Sequence, residues 1–304
     1  MNGVLGKGKL SARGAITSAT ALWGATFTLN KLALASMPAP TLTLWRFVVA
    51  TAVIAIGWGY RRAFWRGITR RELGVGLLTG AMLFGGYILQ TEGQYYISPS
   101  VSGFVTGLSV VLVPIFLLAF GVRLRAAHAA GAIAAGVGLY LLANPSGKVS
   151  ILGTGLTLIS AALFGLQIVV IEQLWKGGSP LRLVFFQMAW VAVLSAVACP
   201  LLGAPALAAG AKPIAWLTVA VDGVGASALA FLAQAWALTK LSSLEISVIY
   251  SLEPLFAVAV AGLVLGVTLG MLDWLGGLTI VAAMGLVAWL PPAQAGQRSS
   301  APAE

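Results

Sequence analysis

Four ionisable side chains fall inside stretches of sequence that are otherwise apolar: Lys31, Arg46, Asp222 and Glu253. A charge is costly in hydrocarbon, so each must find a partner, reach an interface or serve a function. Glu253 precedes Pro254, whose missing N–H leaves the carbonyl of Tyr250 without a helical donor. A carboxylate beside a freed carbonyl can take an ammonium group or carry a proton. Asp222, Arg46 and Lys31 all lie toward one end of their stretches and can form a charge cluster. In one reading Arg46 or Lys31 holds a substrate carboxylate. In the other, Arg46 pairs with Asp222 as architecture and Lys31 snorkels to the surface. Arg46, Asp222 and Glu253 are the candidates for coupling transport to charge.

Neutral polar and aromatic residues accompany these charges. Trp23, Thr26 and Asn30 share one helical face by their spacing, as do Phe164, Gln167 and Ile171 about 141 residues later. Gln90 and Gln234 are similarly matched. The expected lining of a central site is Trp23, Thr26, Asn30, Tyr87, Gln90, Phe164, Gln167, Gln234, Tyr250 and Glu253. The competing account makes the amides interhelical packing glue. Pro114 and Pro254 are read as matched hinges, or as static kinks lined by Ser109 or Thr106.

The elements that position these groups must cross a membrane. The chain has 304 residues, 59% hydrophobic and 9% charged, with a mean hydropathy of +0.96. A soluble domain carries roughly 25% charged residues. Ten spans are expected at about 14–34, 41–60, 73–92, 99–120, 127–143, 151–172, 181–202, 214–238, 244–266 and 272–290, each near the roughly 20 residues that cross the hydrocarbon core. Glu253 then lies about 14 Å deep, near the midplane. Ten spans rule out a cleaved leader as the reading of the first.

The formal charge of +10 is spread over short loops and speaks for membrane orientation, not nucleic acid. With the N-terminus inside, 14 of the 18 Lys and Arg fall on the cytoplasmic side, and only Lys148 and Lys212 in outer loops. Both termini are therefore expected in the cytoplasm. Trp45, Trp58, Trp65, Trp175, Trp216, Trp274 and Trp289 read as an interfacial belt. One cysteine and one histidine, Cys199 and His128, leave no disulfide and no Cys/His metal site. No cofactor or metal is called for. No loop is long enough for a soluble catalytic domain.

The first half recurs in the second. Ala21-Leu22-Trp23-Gly24 returns as Ala162-Leu163-Phe164-Gly165, Pro40 as Pro180, Gln90 as Gln234, Pro114-Ile115-Phe116 as Pro254-Leu255-Phe256, and Gly121-Val122 with Gly131 as Gly266-Val267 with Gly276. Five spans per copy is an odd number, so the second copy must be inverted, the signature of a repeat-built transporter. The expected fold is an all-α integral membrane protein of ten transmembrane helices in two inverted five-helix repeats, residues 14–143 and 151–290, with a disordered tail over 291–304. Gly76-x-x-x-Gly80, Gly103-x-x-x-Gly107 and Gly262-x-x-x-Gly266 predict close helix pairs within the chain.

Leu22-Trp23-Gly24, the run from Gly103-Phe104 through Gly107-Leu108 to Val113-Pro114, Gln234-x-Trp236-Ala237, Ser251-Leu252-Glu253-Pro254 and Gly276 resemble the EamA-type branch of the drug/metabolite transporter superfamily. The resemblance covers residues 14–290. It implies a ten-helix inverted-repeat fold, a place in the inner membrane and movement of small metabolites, often outward. This chain departs from it at Val122 and Val267, where members often carry an acid.

The expected function is secondary transport, as an exporter, of small uncharged or zwitterionic metabolites such as amino acids by alternating access. An aromatic and amide lining with one or two charges suits such substrates. The partners are the substrate, the lipid bilayer and a proton or counter-substrate, in a monomer or homodimer. A multidrug or purine/nucleotide-type transporter of the same fold is the alternative, though phosphorylated substrates call for more buried cations. ATP-driven transport lacks its Gly-x-x-x-x-Gly-Lys loop. An intramembrane enzyme would need Asp222 with Asp273, or His128 with a serine, at a common depth. A facilitative channel looks the same in sequence.

Overall fold

A computed structural model describes residues 2–121, 126–142, 150–175, 177–266 and 268–289. Among them there is no strand. The helices are α1 (Asn2–Ala33), α2 (Ala39–Ile54), α3 (Arg62–Trp65), α4 (Arg70–Gly93), α5 (Pro99–Gly107), α6 (Ser109–Leu118), α7 (Ala126–Leu142), α8 (Ile151–Leu174), α9 (Pro180–Leu201), α10 (Pro213–Ala220), α11 (Ala230–Ala237), α12 (Ser243–Tyr250), α13 (Glu253–Leu265) and α14 (Met271–Trp289). Two π-helical segments, Ala55–Gly59 and Val221–Leu229, extend α2 and join α10 to α11. Val122, Val267 and the tail from residue 290 lie outside the described residues, as do the side chains of His128 and Asp273.

Six continuous stretches among the described residues are long and apolar enough to cross a membrane: Ala39–Gly59, Arg70–Gly93, Pro99–Leu118, Ile151–Leu174, Pro180–Leu201 and Pro213–Ala237. Glu253–Leu265 and Trp274–Leu286 are shorter apolar helices. The protein is multi-pass and helical because a segment in lipid must satisfy its own backbone hydrogen bonds.

Local sequence sets the helix ends. Pro99, Pro180 and Pro213 open their helices, where a missing N–H costs nothing. The hydroxyls of Thr69, Ser98 and Ser150 accept from the N–H groups of Glu72, Val101 and Gly153. α1 starts well before the expected edge and carries Lys9 and Arg13, and Arg13 pairs with Glu245 at 3.3 Å.

α4 packs on α8 and α9, α1 on α11 and α13, α2 on α9, and α7 on α14. Close approach requires glycine at particular crossings. A Cβ on Gly24 would lie 2.5 Å from that of Phe256 and 2.9 Å from the carbonyl of Glu253, so α1 sits on the start of α13. Gly76 and Gly80 face Phe186 and Gln187 of α9, and Gly103 and Gly107 face Ala257 and Pro254 of α13. The third small-residue motif does not behave this way. Gly262 is exposed, and Gly266 ends α13 at φ +64° with open space around it.

The kinks also differ from expectation. The fourth apolar stretch breaks at Leu108, whose N–H reaches the carbonyl of Val105 and whose carbonyl accepts from Val111 and Leu112. The α12–α13 break has the same pattern at Leu252, which reaches Ile249 and accepts from Leu255 and Phe256. These breaks are 144 residues apart, whereas Pro114 and Pro254 are 140 apart. Pro254 therefore opens α13, while Pro114 lies inside α6. The prolines are not structural counterparts, and the residue in register with Glu253 is Ser109 and not Val113.

Candidate functional site

Between the helices lies a small cavity of about 50 Å³, lined by Trp23, Thr26, Phe27, Leu83, Tyr87, Gln90, Thr106, Ser109, Phe164, Gln167, Phe231, Gln234, Tyr250 and Glu253. That is below the roughly 300–1,000 Å³ of a typical small-molecule site, so a metabolite-sized ligand needs the walls to move apart. Nine of the ten residues expected to line a central site are here. Asn30 is the exception, buried one turn further along α1. Thr106 and Ser109, expected at a kink, also line the cavity. Phe27, Leu83 and Phe231 had not been singled out, although Phe231 follows Tyr87 by the same 144 residues that separate Gln90 from Gln234.

The aromatic wall is fixed by mutual contacts. The Trp23 ring meets Phe231 and Tyr250 edge to face, each with centroids 5.3 Å apart, and Tyr87 meets Phe164 at 5.0 Å. Such pairs prefer edge-to-face geometry because the ring faces are electron-rich. The indole N–H of Trp23 donates to the carbonyl of Ala226 at 2.6 Å, so Trp23 offers a ligand its ring and not its donor.

The amides form two matched arrangements. Gln90 Nε2 donates to Thr106 Oγ1 at 3.0 Å, and Tyr250 donates to Gln234 Oε1 at 2.8 Å. Both pairs span 16 residues, and each member lies 144 residues from its counterpart. Gln234 Nε2 donates onward to Gln167 Oε1 at 3.0 Å, and Gln167 Nε2 is buried with no partner. An orphaned buried donor is costly, and this one is on a cavity-lining residue. With the buried Glu253, it places an unpaired amide N–H and a carboxyl group on cavity-lining residues.

Beside the cavity, Arg46 and Asp222 form a buried ion pair at 3.1 Å. Arg46 Nε donates to Ser227 Oγ at 2.7 Å and Nη2 to the Tyr87 hydroxyl at 3.3 Å. The π-helical segment explains how one guanidinium meets both Asp222 and Ser227. A π-turn bonds residue i to i+5, so residues five apart stack on one face. The segment is also a one-residue insertion relative to the first half. Gly80 and Gly223, 143 apart, press on the carbonyls of Gln187 and Arg46, while Gln90 and Gln234, beyond the π-turn, are 144 apart. The counterpart of the ion pair is neutral: Gln187 Nε2 donates to Thr79 Oγ1 at 2.8 Å.

The other buried charges lie apart from this pair. Glu253 makes no ion pair with Arg46, and Tyr87 stands between them, bonded to Arg46 and lining the cavity with Glu253. Lys31 does not join the Arg46–Asp222 pair and instead extends to the partly exposed end of α4. Its ammonium donates to the carbonyls of Gln94, Tyr95 and Ile97 at the end of α4, where helix carbonyls are left free. At the other end of the bundle, Glu72 Oε1 accepts from Arg182 Nε at 2.9 Å and from the Ser179 N–H at 3.1 Å, which ties α4 to the start of α9. Among the described residues no group of His, Cys, Asp and Glu is placed to hold a metal ion.

Residues 13–144 and 151–289 each match the profile of the EamA-like transporter family. An uncharacterized transporter from Archaeoglobus fulgidus is 28% identical over 270 residues, 88% of this chain and 82% of its own. A crystal structure, described only as that of a protein, superposes with a TM-score of 0.67 at 21% identity, over 91% of this chain and 97% of the other. That last likeness concerns the fold alone.

Proposed function

This chain belongs to the EamA-like transporter family, and from that premise we propose a secondary transporter that moves small zwitterionic or uncharged metabolites, such as amino acids, across the bacterial inner membrane by alternating access. The observation that carries the substrate class is the cavity wall. It combines an aromatic enclosure, the carboxylate of Glu253 and the orphaned amide donor of Gln167. A carboxylate suits an ammonium group, a free N–H suits a carboxylate or carbonyl, and aromatic rings suit an apolar side chain. The net direction is export, and both termini are cytoplasmic.

The mechanism rests on two inverted five-helix repeats, residues 14–143 and 151–290. The matched amide bonds, the matched ion-pair and neutral-pair positions, and the matched breaks at Leu108 and Leu252 support this reading. In an inverted repeat the two halves exchange conformations to open one side and then the other. The hinges are assigned to Leu108 and Leu252, where backbone bonding switches, with Pro254 fixing the second. Glu253 carries the proton or the substrate amine.

The test has two parts. Detergent-purified protein is screened for thermal stabilisation by amino acids, purines and cationic drugs, where a ligand at 100 times its Kd adds about 2.7 kcal/mol. Any hit is then tested for counterflow in proteoliposomes. Stabilisation by one amino-acid class with accelerated exchange supports the proposal. Stabilisation only by purines or lipophilic cations replaces the substrate class, and flux without exchange acceleration replaces the carrier by a channel.

A further inference from the structure

Three residues of the cavity wall each have a polar residue one helical turn further toward the Lys31 end of the bundle. Thr26 is followed by Asn30 on α1, Gln90 by Gln94 at the end of α4, and Thr106 is preceded by Ser102 on α5. Residues four apart lie on one helix face. All three are buried: Asn30 is 1% exposed, and Gln94 and Ser102 are fully enclosed. Asn30 Oδ1, both side-chain polar atoms of Gln94 and the Ser102 hydroxyl have no hydrogen-bond partner. The three elements adjoin at the cavity, where Gln90 bonds Thr106 and Phe27 lies against Gly103. They adjoin again at the end, where Lys31 binds the carbonyls of Gln94 and Ile97.

Buried polar groups are normally satisfied, and interhelical glue would be bonded. The repeat supplies an internal comparison. Displaced by the same 141 and 144 residues, the counterparts of Asn30, Gln94 and Ser102 are Ile171, Leu238 and Ile246. Ile171 and Ile246 are buried in the apolar core and Leu238 packs against it. The fold therefore accepts apolar residues at these stations, and the chain places amides and a hydroxyl at only one end of the cavity.

We propose that Asn30, Gln94 and Ser102 are the polar rungs of the substrate's route between the cavity and the outer surface, hydrated when that side opens, and that Lys31 is its plug. Lys31 holds the α4 end across the mouth through three carbonyls, and its release frees them to water. Ile171, Leu238 and Ile246 form the dry seal on the opposite side. The inference rests on the transporter reading and on a cytoplasmic N-terminus, but its test needs no substrate.

N30C, Q94C and S102C are made with Cys199 replaced by Ser, and intact cells are exposed to a membrane-impermeant methanethiosulfonate. S195C, a buried orphan hydroxyl on α9 away from the route, is the negative control, and A209C in an exposed loop is the positive one. All three rungs are expected to label, S195C is not, and adding K31Q accelerates the rungs at least about tenfold, while K31R does not. No labelling of the rungs while A209C labels, or rates indifferent to K31Q, overturns the proposal. Should a cysteine variant fail to fold, hydrogen exchange over residues 94–102 is compared in wild-type and K31Q proteins. Faster exchange in K31Q is expected, and equal exchange removes Lys31 as the plug. Absence of counterflow in protein that labels in this pattern would sink the transporter reading and leave the route standing.

Discussion

Arg46 Nη1 lies 3.1 Å from Asp222 Oδ2 with side chains 3% and 0% exposed, and the other carboxylate oxygen of Asp222 has no partner. The pair is bonded to Tyr87 and Ser227 but stands outside the cavity lining. Removing one member leaves an uncompensated charge among apolar helices. D222N or R46M is expected to cost about 3–5 kcal/mol, read as lower thermal midpoints in detergent. The double variant R46M/D222L should lose less than the sum of the singles. Strict additivity would show that the two residues do not act as a pair.

Glu253 is buried on the cavity wall at the first position of α13. If it carries the proton or the amine, wild-type transport varies with pH and E253Q transport does not, or is lost altogether. E253Q that transports with the wild-type pH profile removes Glu253 from coupling. Thermal midpoints of the two proteins separate a folding defect from a transport defect.

Tyr250, Gln234 and Gln167 form one line of hydrogen bonds ending at an unpaired donor. Y250F removes the donor that orients Gln234, so both amides can turn over and present an oxygen where Gln167 now presents N–H. A substrate carboxylate would then meet an acceptor. KM for a zwitterion is expected to rise about tenfold, equivalent to roughly 1.4 kcal/mol, with little change for an uncharged analogue. Equal effects on both would show that the line is structural.

Gly24 and Gly74 offer a contrast in packing. A Cβ on Gly24 collides with Phe256 and the Glu253 carbonyl, whereas one on Gly74 meets nothing within 4 Å. G24A should cost about 1–3 kcal/mol by pushing α1 off α13 and should slow transport. G74A should hold stability or gain up to about 1 kcal/mol. Thermal unfolding of both variants checks the crossing. A harmless G24A would mean that α1 and α13 separate easily.

The side assignment is checked with cysteines in exposed loops. A209C should react with an impermeant thiol reagent added to intact cells, and R66C only after permeabilisation. The reverse pattern would invert the orientation and exchange the two ends of the route.

Much of this protein was legible without coordinates because lipid leaves a chain few options. Apolar length dictates helices, and the motif repeats with Trp23-Gly24 and Phe164-Gly165, or Gln90 and Gln234, pointed to the residues that meet at the centre. Amphipathic spacing carried this far because residues three or four apart must share a face. Tertiary structure decided what spacing cannot encode. It set the true register at the breaks, where a proline match misled by four residues, one helical turn. It showed the π-turn that brings Asp222 and Ser227 onto one guanidinium, and it put Lys31 on the carbonyls of the turn that follows α4. Each of these depends on which partner a side chain meets across the bundle, and that is fixed by packing between helices, not by any one helix's own sequence.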